Sequence, residues 1–226
     1  MHGVIPSSGS ILDPKLCEKF DEFSKYVELT KQSWLSFHFD YKDKYGEEDY
    51  IKTLEKNLKT IRSYFPKIEI LLENLPPVDD IKEWCAYPKL FKDVLEEYNL
   101  KMLLDISHAK ISAEYFNISF EDYLNQFPLD KVKEIHFSGL GYTKKGKLYD
   151  SHIMATEDDY KDLEYAVEKC KNVGVITLEF APTRDYDGQY VAKQYRESFS
   201  DLELYNQQQI QLKKLKQIVE SKKISA

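Results

Sequence analysis

The sequence predicts a parallel α/β fold, and two observations carry that expectation. Short apolar, strand-like runs recur at Trp34–Phe39, Ile68–Leu72, Met102–Ile106, Val132–Phe137 and Val173–Phe180, most of them followed by a turn-rich loop and then a helical pattern. Strand, loop, helix and strand in alternation is how parallel strands are joined, because each needs a crossover to return to the same end of the sheet. The runs are also apolar throughout and then stop at ionisable groups. In "KMLLDISHAK", residues 101–110, Met102–Leu104 give way to Asp105 and His108. A strand covered by helices on both faces, with its carboxyl end open to solvent, reads in this way.

Helices are expected at Pro14–Leu29, Glu48–Tyr64, Lys89–Tyr98, Phe120–Phe127, Glu157–Lys171 and from about Leu202 to Val219. Asp13 followed by Pro14 is expected to cap the first of them. In the last, Leu202, Ile210, Leu212, Leu215, Ile218 and Val219 fall roughly along one face, with Lys213, Lys214 and Lys216 on the solvated side. No internal linker or low-complexity stretch interrupts the pattern. With 226 residues, 42% of them hydrophobic, the chain is long enough for one sizeable core and short for two, so residues 1–226 are expected to form a single domain.

The formal charge of −7 argues against a broad, sequence-independent grip on nucleic acid. Cys17, Cys85 and Cys170 are scattered, without the spacing of a metal knuckle or a disulfide framework, and a reducing cytoplasm is the expected setting. No segment reaches the roughly 18 apolar residues needed to span a bilayer, and the first ten residues carry no export signal, so no membrane association is expected.

The ionisable residues fall into place on this frame. "SWLSFHF" ends at His38, "IEILLENLP" at Glu73, "KMLLDISH" at Asp105 and His108, "VKEIHFSG" at His136, and "VGVITLEFAP" at Glu179; the loop after His136 holds "YDSH" with Asp150 and His152, and His2 stands near the amino terminus. All five histidines are therefore expected at a strand end or in an adjoining loop. Asp105 has two readings, a helix cap and a metal ligand. In a parallel barrel the strand ends meet on one rim, where crowded carboxylates and imidazoles would be stranded without a cation among them. Histidine with Asp and Glu, and no cysteine, suits zinc, iron or manganese.

The ordered series His2, His38, Glu73, Asp105, His108, His136, Asp150, His152 and Glu179 resembles the metal-ligand series of the xylose-isomerase-like TIM-barrel superfamily, over a stretch from His2 to about Pro182. Two branches are close. One is the endonuclease IV family of apurinic-site phosphodiesterases, with a trinuclear zinc site. The other is the multinuclear non-haem iron-dependent oxidase family typified by the methanobactin-biosynthesis oxidase, which modifies cysteine-containing ribosomal peptides. The wording between the ligands favours the second: "HGVIPSSGS" is similar to its His-Gly-Val stretch ending in Gly-Ser, "WLSFHF" to its Trp-x-Ser-x-His, "PLDKVKEIHFSG" to its Pro-Leu-x-x-Val-x-x-Ile-His-x-x-Gly, and "YDSH" to its Asp-x-His. "LLENLP" fits both.

The chain departs from the oxidase pattern at "DISH", where that family usually has asparagine near the place of His108 and where "DISHAKISAEYF" is closer to the nuclease. The second departure is in length. The superfamily barrel has eight strands, whereas this chain offers five and the stub "HGVIP", so either a barrel lacking about two strands or a reduced, open barrel is expected.

The resemblance implies two or three divalent ions, iron favoured, zinc or manganese as the alternatives, and a site in which Glu73, Glu179 and His136 are the candidate catalytic groups. It implies a cysteine-containing peptide substrate, whose thiolate and dioxygen meet at an open metal position, with a small peptide-recognition protein and a homo-oligomer as candidate assemblies. Its alternative implies a zinc phosphodiesterase acting on abasic DNA, the one case in which nucleic acid is a partner. A sugar isomerase or epimerase is a further class, with Glu73 and Glu179 shuttling a proton. A non-catalytic metal-binding protein is the fourth.

Overall fold

The computed structural model describes residues 9–31, 33–42, 45, 49–78, 80–143, 145–182 and 190–223; His2 and the stub "HGVIP" lie outside them. The strands are β1 (Trp34–His38), β2 (Glu69–Glu73), β3 (Lys101–Asp105), β4 (Val132–Phe137), β5 (Gly139–Tyr142), β6 (Leu148–Ile153) and β7 (Val175–Leu178). The helices are α1 (Phe20–Thr30), α2 (Tyr50–Tyr64), α3 (Pro88–Glu97), α4 (Ile106–Phe116), α5 (Phe120–Leu124), α6 (Glu157–Lys169), α7 (Tyr190–Glu197) and α8 (Asp201–Lys223).

The main sheet runs β1-β2-β3-β4-β7, and β5 and β6 form a separate hairpin. The register pairs β1 with β2, β2 with β3 and β4 with β7, all parallel. All five expected strands are present. Among the described residues the order runs from β1 to β7, so the fold is an α/β parallel sheet of the (β/α) barrel type with five strands described, where the full barrel has eight. No helix among the described residues is long and apolar enough to cross a membrane.

The chain packs as two compact units, residues 1–104 with 126–133, and residues 105–125 with 134–226. In the first, α2 begins at Asp49, whose carboxylate accepts from the Ile51 amide, and buries Leu54, Leu58 and Ile61 along one face. Phe91 of α3 packs edge-on against Phe39 and Phe127, both at 5.5 Å between centroids.

Outside β1, residues 9–11 add one rung of sheet: the His38 amide donates to the Gly9 carbonyl at 2.8 Å and the Ile11 amide to the His38 carbonyl at 2.9 Å. That rung is held from behind by Asn57, fully buried, whose amide donates to the carbonyls of Ile11 at 2.7 Å and Asp13 at 2.9 Å. Asn57→Leu should strand both carbonyls and lower stability by about 3 kcal/mol, read as a shift in the urea midpoint. An unchanged midpoint would show that the segment holds without it.

Asp13 does not cap the first α-helix. Its carboxylate accepts from the Lys15 amide at 2.8 Å, a turn closed two residues on, and a short 3-10 helix at Leu16–Lys19 precedes α1.

In the second unit, α4 packs on α5, α6 and β6, and α6 on α8. Lys110 of α4 reaches Asp159 at 3.1 Å and Asp162 at 2.5 Å on α6. α6 starts with a reciprocal cap, Thr156 accepting from the Asp159 amide and Asp159 from the Thr156 amide. Gln211 of α8, fully buried, accepts from the Ala155 amide at 2.9 Å. Leu204, Leu215 and Ile218 are the buried face of α8, while Leu202, Ile210 and Leu212 are exposed, so the apolar face expected for this helix is split. Helices α4 and α7 and the hairpin were not among the expected elements.

Candidate metal centre

In the first unit the parallel register sets His38 directly beside Glu73, and Nε2 of His38 lies 3.5 Å from Oε2 of Glu73. Glu73 is 1% exposed, a place where a carboxylate needs a positive or hydrogen-bonding companion.

In the second unit, Asp105 ends β3 and starts α4. Its Oδ1 accepts from the His108 amide at 2.8 Å, so it is the helix cap, while Oδ2 lies 3.8 Å from Nδ1 of His108. A ligand atom of Asp105 also lies within 4.8 Å of one on His136. The two readings of this residue are compatible, one oxygen each.

His136 is the penultimate residue of β4. Its Nδ1 is 3.2 Å from Oε1 of Glu179, and its Nε2 is 3.4 Å from Oε1 of Glu134, which also accepts from the Thr177 hydroxyl at 2.7 Å. Alternation along the strand puts Glu134 and His136 on one face, and the register sets Thr177 opposite His136.

Asp150 and His152 were expected in a loop and are instead on β6. The hairpin depends on Gly139, since a Cβ there would come within 2.5 Å of the backbone of Ile153 and Met154. Backbone approach of that kind is what the glycine of "HFSG" permits. It places Asp150 Oδ2 at 3.0 Å from His152 Nε2 and 3.4 Å from His108 Nε2. Burial opposes the charge on Asp150, but the contacts with His108 and His152 outweigh it and hold its carboxyl well below the usual range.

His152 has φ +49°, a left-handed conformation that is rare outside glycine and is found where surrounding structure enforces it. Here the Ala181 amide donates to its carbonyl at 3.0 Å, and its Nδ1 meets the Glu179 carbonyl at 3.1 Å.

A carbonyl only accepts, so Nδ1 of His152 carries a proton, and in the neutral ring the lone pair on Nε2 faces the Asp150 carboxylate. Two lone-pair groups 3.0 Å apart are relieved by a proton or by a cation. With Asp105, Asp150 and Glu179 against His108, His136 and His152, the cluster is anionic whenever the rings are neutral, and its donors fit a divalent ion.

The six residues from Asp105 onward thus gather in the second unit, and His38 and Glu73 pair in the first. His2 lies outside the described residues. Sequence reasoning missed Glu134, Thr177, Ser107 and Ser138. The signal for two of them was the alternation in "EIHFS", where Glu134, His136 and Ser138 fall on every second residue. The three thiols are raised by burial, Cys85 and Cys170 to about 12, which leaves none poised as a nucleophile.

Fold and site together define the class: a (β/α) barrel-type protein whose strand ends and adjoining segments carry buried imidazoles and carboxylates. The sequence model for the RiPP precursor modification enzyme MbnB/TglH/ChrH matches residues 1–184, and the chain belongs to that family. It is also similar to the UPF0276 protein AM1_3026 of Acaryochloris marina, 24% identical over 67% of this chain and 58% of the relative. A second relative is the UPF0276 protein VP3015 of Vibrio parahaemolyticus, 27% identical over 46% of this chain and 38% of its own length. The chain therefore spans less than two thirds of either relative.

Proposed function

We propose that the protein is a metal-dependent enzyme modifying a ribosomally made peptide precursor, with iron as the metal and a cysteine of the peptide as the point of reaction. The observation that carries this reading is the second-unit cluster, in which Asp150 and Glu179 each lie against two imidazoles, in a chain of the peptide-modifying family. The proposed ligands are His38, Glu73, Asp105, His108, His136, Asp150, His152 and Glu179, with His2 as a ninth. When bound, two or three ferrous ions would supply a redox-active, Lewis-acidic centre for the substrate thiol and dioxygen.

The chain's own residues do the rest. Asp105 holds one oxygen toward the site because its other oxygen is fixed on α4. The Glu179 carbonyl fixes the ring of His152, leaving Nε2 to face inward. Glu134 and Thr177 steady the ring of His136. Glu73, Glu179 and His136 are the groups proposed to handle protons.

A zinc phosphodiesterase acting on abasic DNA is the second reading, favoured by one observation: His108 stands 3.4 Å from Asp150, adding an imidazole that suits zinc. The readings are separated by incubating iron-loaded protein in air with a cysteine peptide encoded in its genomic neighbourhood, beside zinc-loaded protein with an abasic duplex under anaerobic conditions. Iron-dependent oxygen uptake coupled to a change in peptide mass is expected. Cleavage of the duplex without oxygen, with no change to the peptide, would overturn the oxidase reading.

A further inference from the structure

We infer that Ser138 is a positioning residue for Asp150, driven by a hydroxyl relay from Ser107, and that this relay selects the oxygen Asp150 turns toward His108 and His152. The inference rests on the metal reading above. Ser138 Oγ lies 2.7 Å from Asp150 Oδ1, and a carboxylate only accepts, so the single hydroxyl proton of Ser138 points there. Ser107 Oγ lies 2.9 Å from Ser138 Oγ and 3.1 Å from the Ser138 carbonyl. With the Ser138 proton already committed, the single hydroxyl proton of Ser107 is the one available to both contacts, shared between the carbonyl and hydroxyl oxygens of Ser138. The relay therefore has one direction, Ser107 to Ser138 to Asp150.

Both serines are 2% exposed, so water does not compete for these contacts. Oδ1 of Asp150 is held by the relay, and Oδ2 is the oxygen at 3.0 Å from His152 and 3.4 Å from His108. Three ligand-bearing segments are joined in this way. Ser107 sits between Asp105 and His108 in the first turn of α4, Ser138 directly follows β4 two residues after His136, and Asp150 stands on β6. A displaced hydroxyl would release Asp150 to rotate and share either oxygen, which loosens the pair of imidazoles it faces.

Two measurements test this. In metal-free protein, a double-mutant cycle with Ser138→Ala and Asp150→Ala is read by urea unfolding. The combined change in the unfolding constant is expected to fall short of the product of the single changes by at least about fivefold. In the second, Co2+ serves as the probe. Ser138→Ala should weaken Co2+ binding by about tenfold or more and shift the visible d–d bands, Ser107→Ala should do the same to a smaller extent, and Ser138→Thr should restore both. A merely structural role would lower stability and leave the spectrum alone.

Single changes that multiply, or a Ser138→Ala protein with the parent's Co2+ affinity and spectrum, would overturn the relay. A parent protein that takes up no Co2+, Fe2+ or Zn2+ would overturn the metal reading instead, and the relay is then judged by the unfolding cycle.

Discussion

Asp150→Ala is expected to lower divalent-metal affinity by more than about 100-fold and to abolish turnover, a larger loss than removal of any supporting partner, which costs about 10–100-fold. The reason is position. Asp150 stands against both His108 and His152, and it does so from a hairpin that carries His152 as well and whose backbone pairing fixes it independently of His108. Asp150→Asn keeps the shape and an acceptor for Ser138 while removing the charge, so the pair of variants separates the electrostatic contribution from the geometric one. Metal content measured by elemental analysis after dialysis against a weak chelator is the readout. An Asp150→Ala protein that retains the parent's metal content would remove Asp150 from the ligand set.

Phe91→Ala is expected to cost about 4 kcal/mol. Against a total of about 5–15 kcal/mol for a domain, that is enough to move the unfolding midpoint far or to leave the protein largely unfolded at 37 °C. Phe91 is 1% exposed and lies edge-on to Phe39 and Phe127. Such a site sits between three elements that cannot all close on an alanine. Phe91→Leu should cost clearly less. Calorimetric melting of the two variants checks the order: a Phe91→Leu protein as stable as the parent would mean that the edge-on ring contacts contribute nothing beyond volume, and equal losses would overturn the expected order.

The parallel sheet was legible because β1 to β4 are largely buried on both faces and carry short apolar stretches, as in "MLL", while β7, half-buried to exposed, was legible from the apolar and β-branched "VITL". The same criterion hid the hairpin. β5 is "GLGY" and β6 is "LYDSHI", short and half-polar, and a strand built from such residues shows no apolar run. Helix α4 was hidden by continuity: Ile106 prolongs the apolar run of β3 in sequence, yet it is the first helical residue, because the Asp105 carboxylate bonds the His108 amide and turns the chain there. The missed α7, "YVAKQYRE", is polar and brief.

Of the site, residue types and order were visible in the sequence, since strand ends are where such groups collect. What could not be read was orientation. Whether Asp105 capped a helix or faced the site depended on which oxygen did which, and Glu134 and Thr177 became supports of His136 only through the register of β4 with β7. Cross-strand register is a tertiary property that a linear pattern does not carry.

The double duty that the proposed function gives Asp105, helix cap and metal ligand, has an evolutionary consequence. Asparagine at this position would keep the helix start but not the negative charge, and glutamate would keep the charge but overreach the cap, so no single replacement preserves both. Only the two tasks together require aspartate, since the cap alone accepts asparagine and the charge alone accepts glutamate. A descendant that abandoned its chemistry would still need a capping residue at 105 for the sake of α4, aspartate or asparagine, whereas His152, whose left-handed backbone is a liability without a purpose, would be free to drift to glycine or asparagine. Within this family the loss of histidine at 152, rather than the survival of aspartate at 105, is therefore the mark by which a retired enzyme would be recognised.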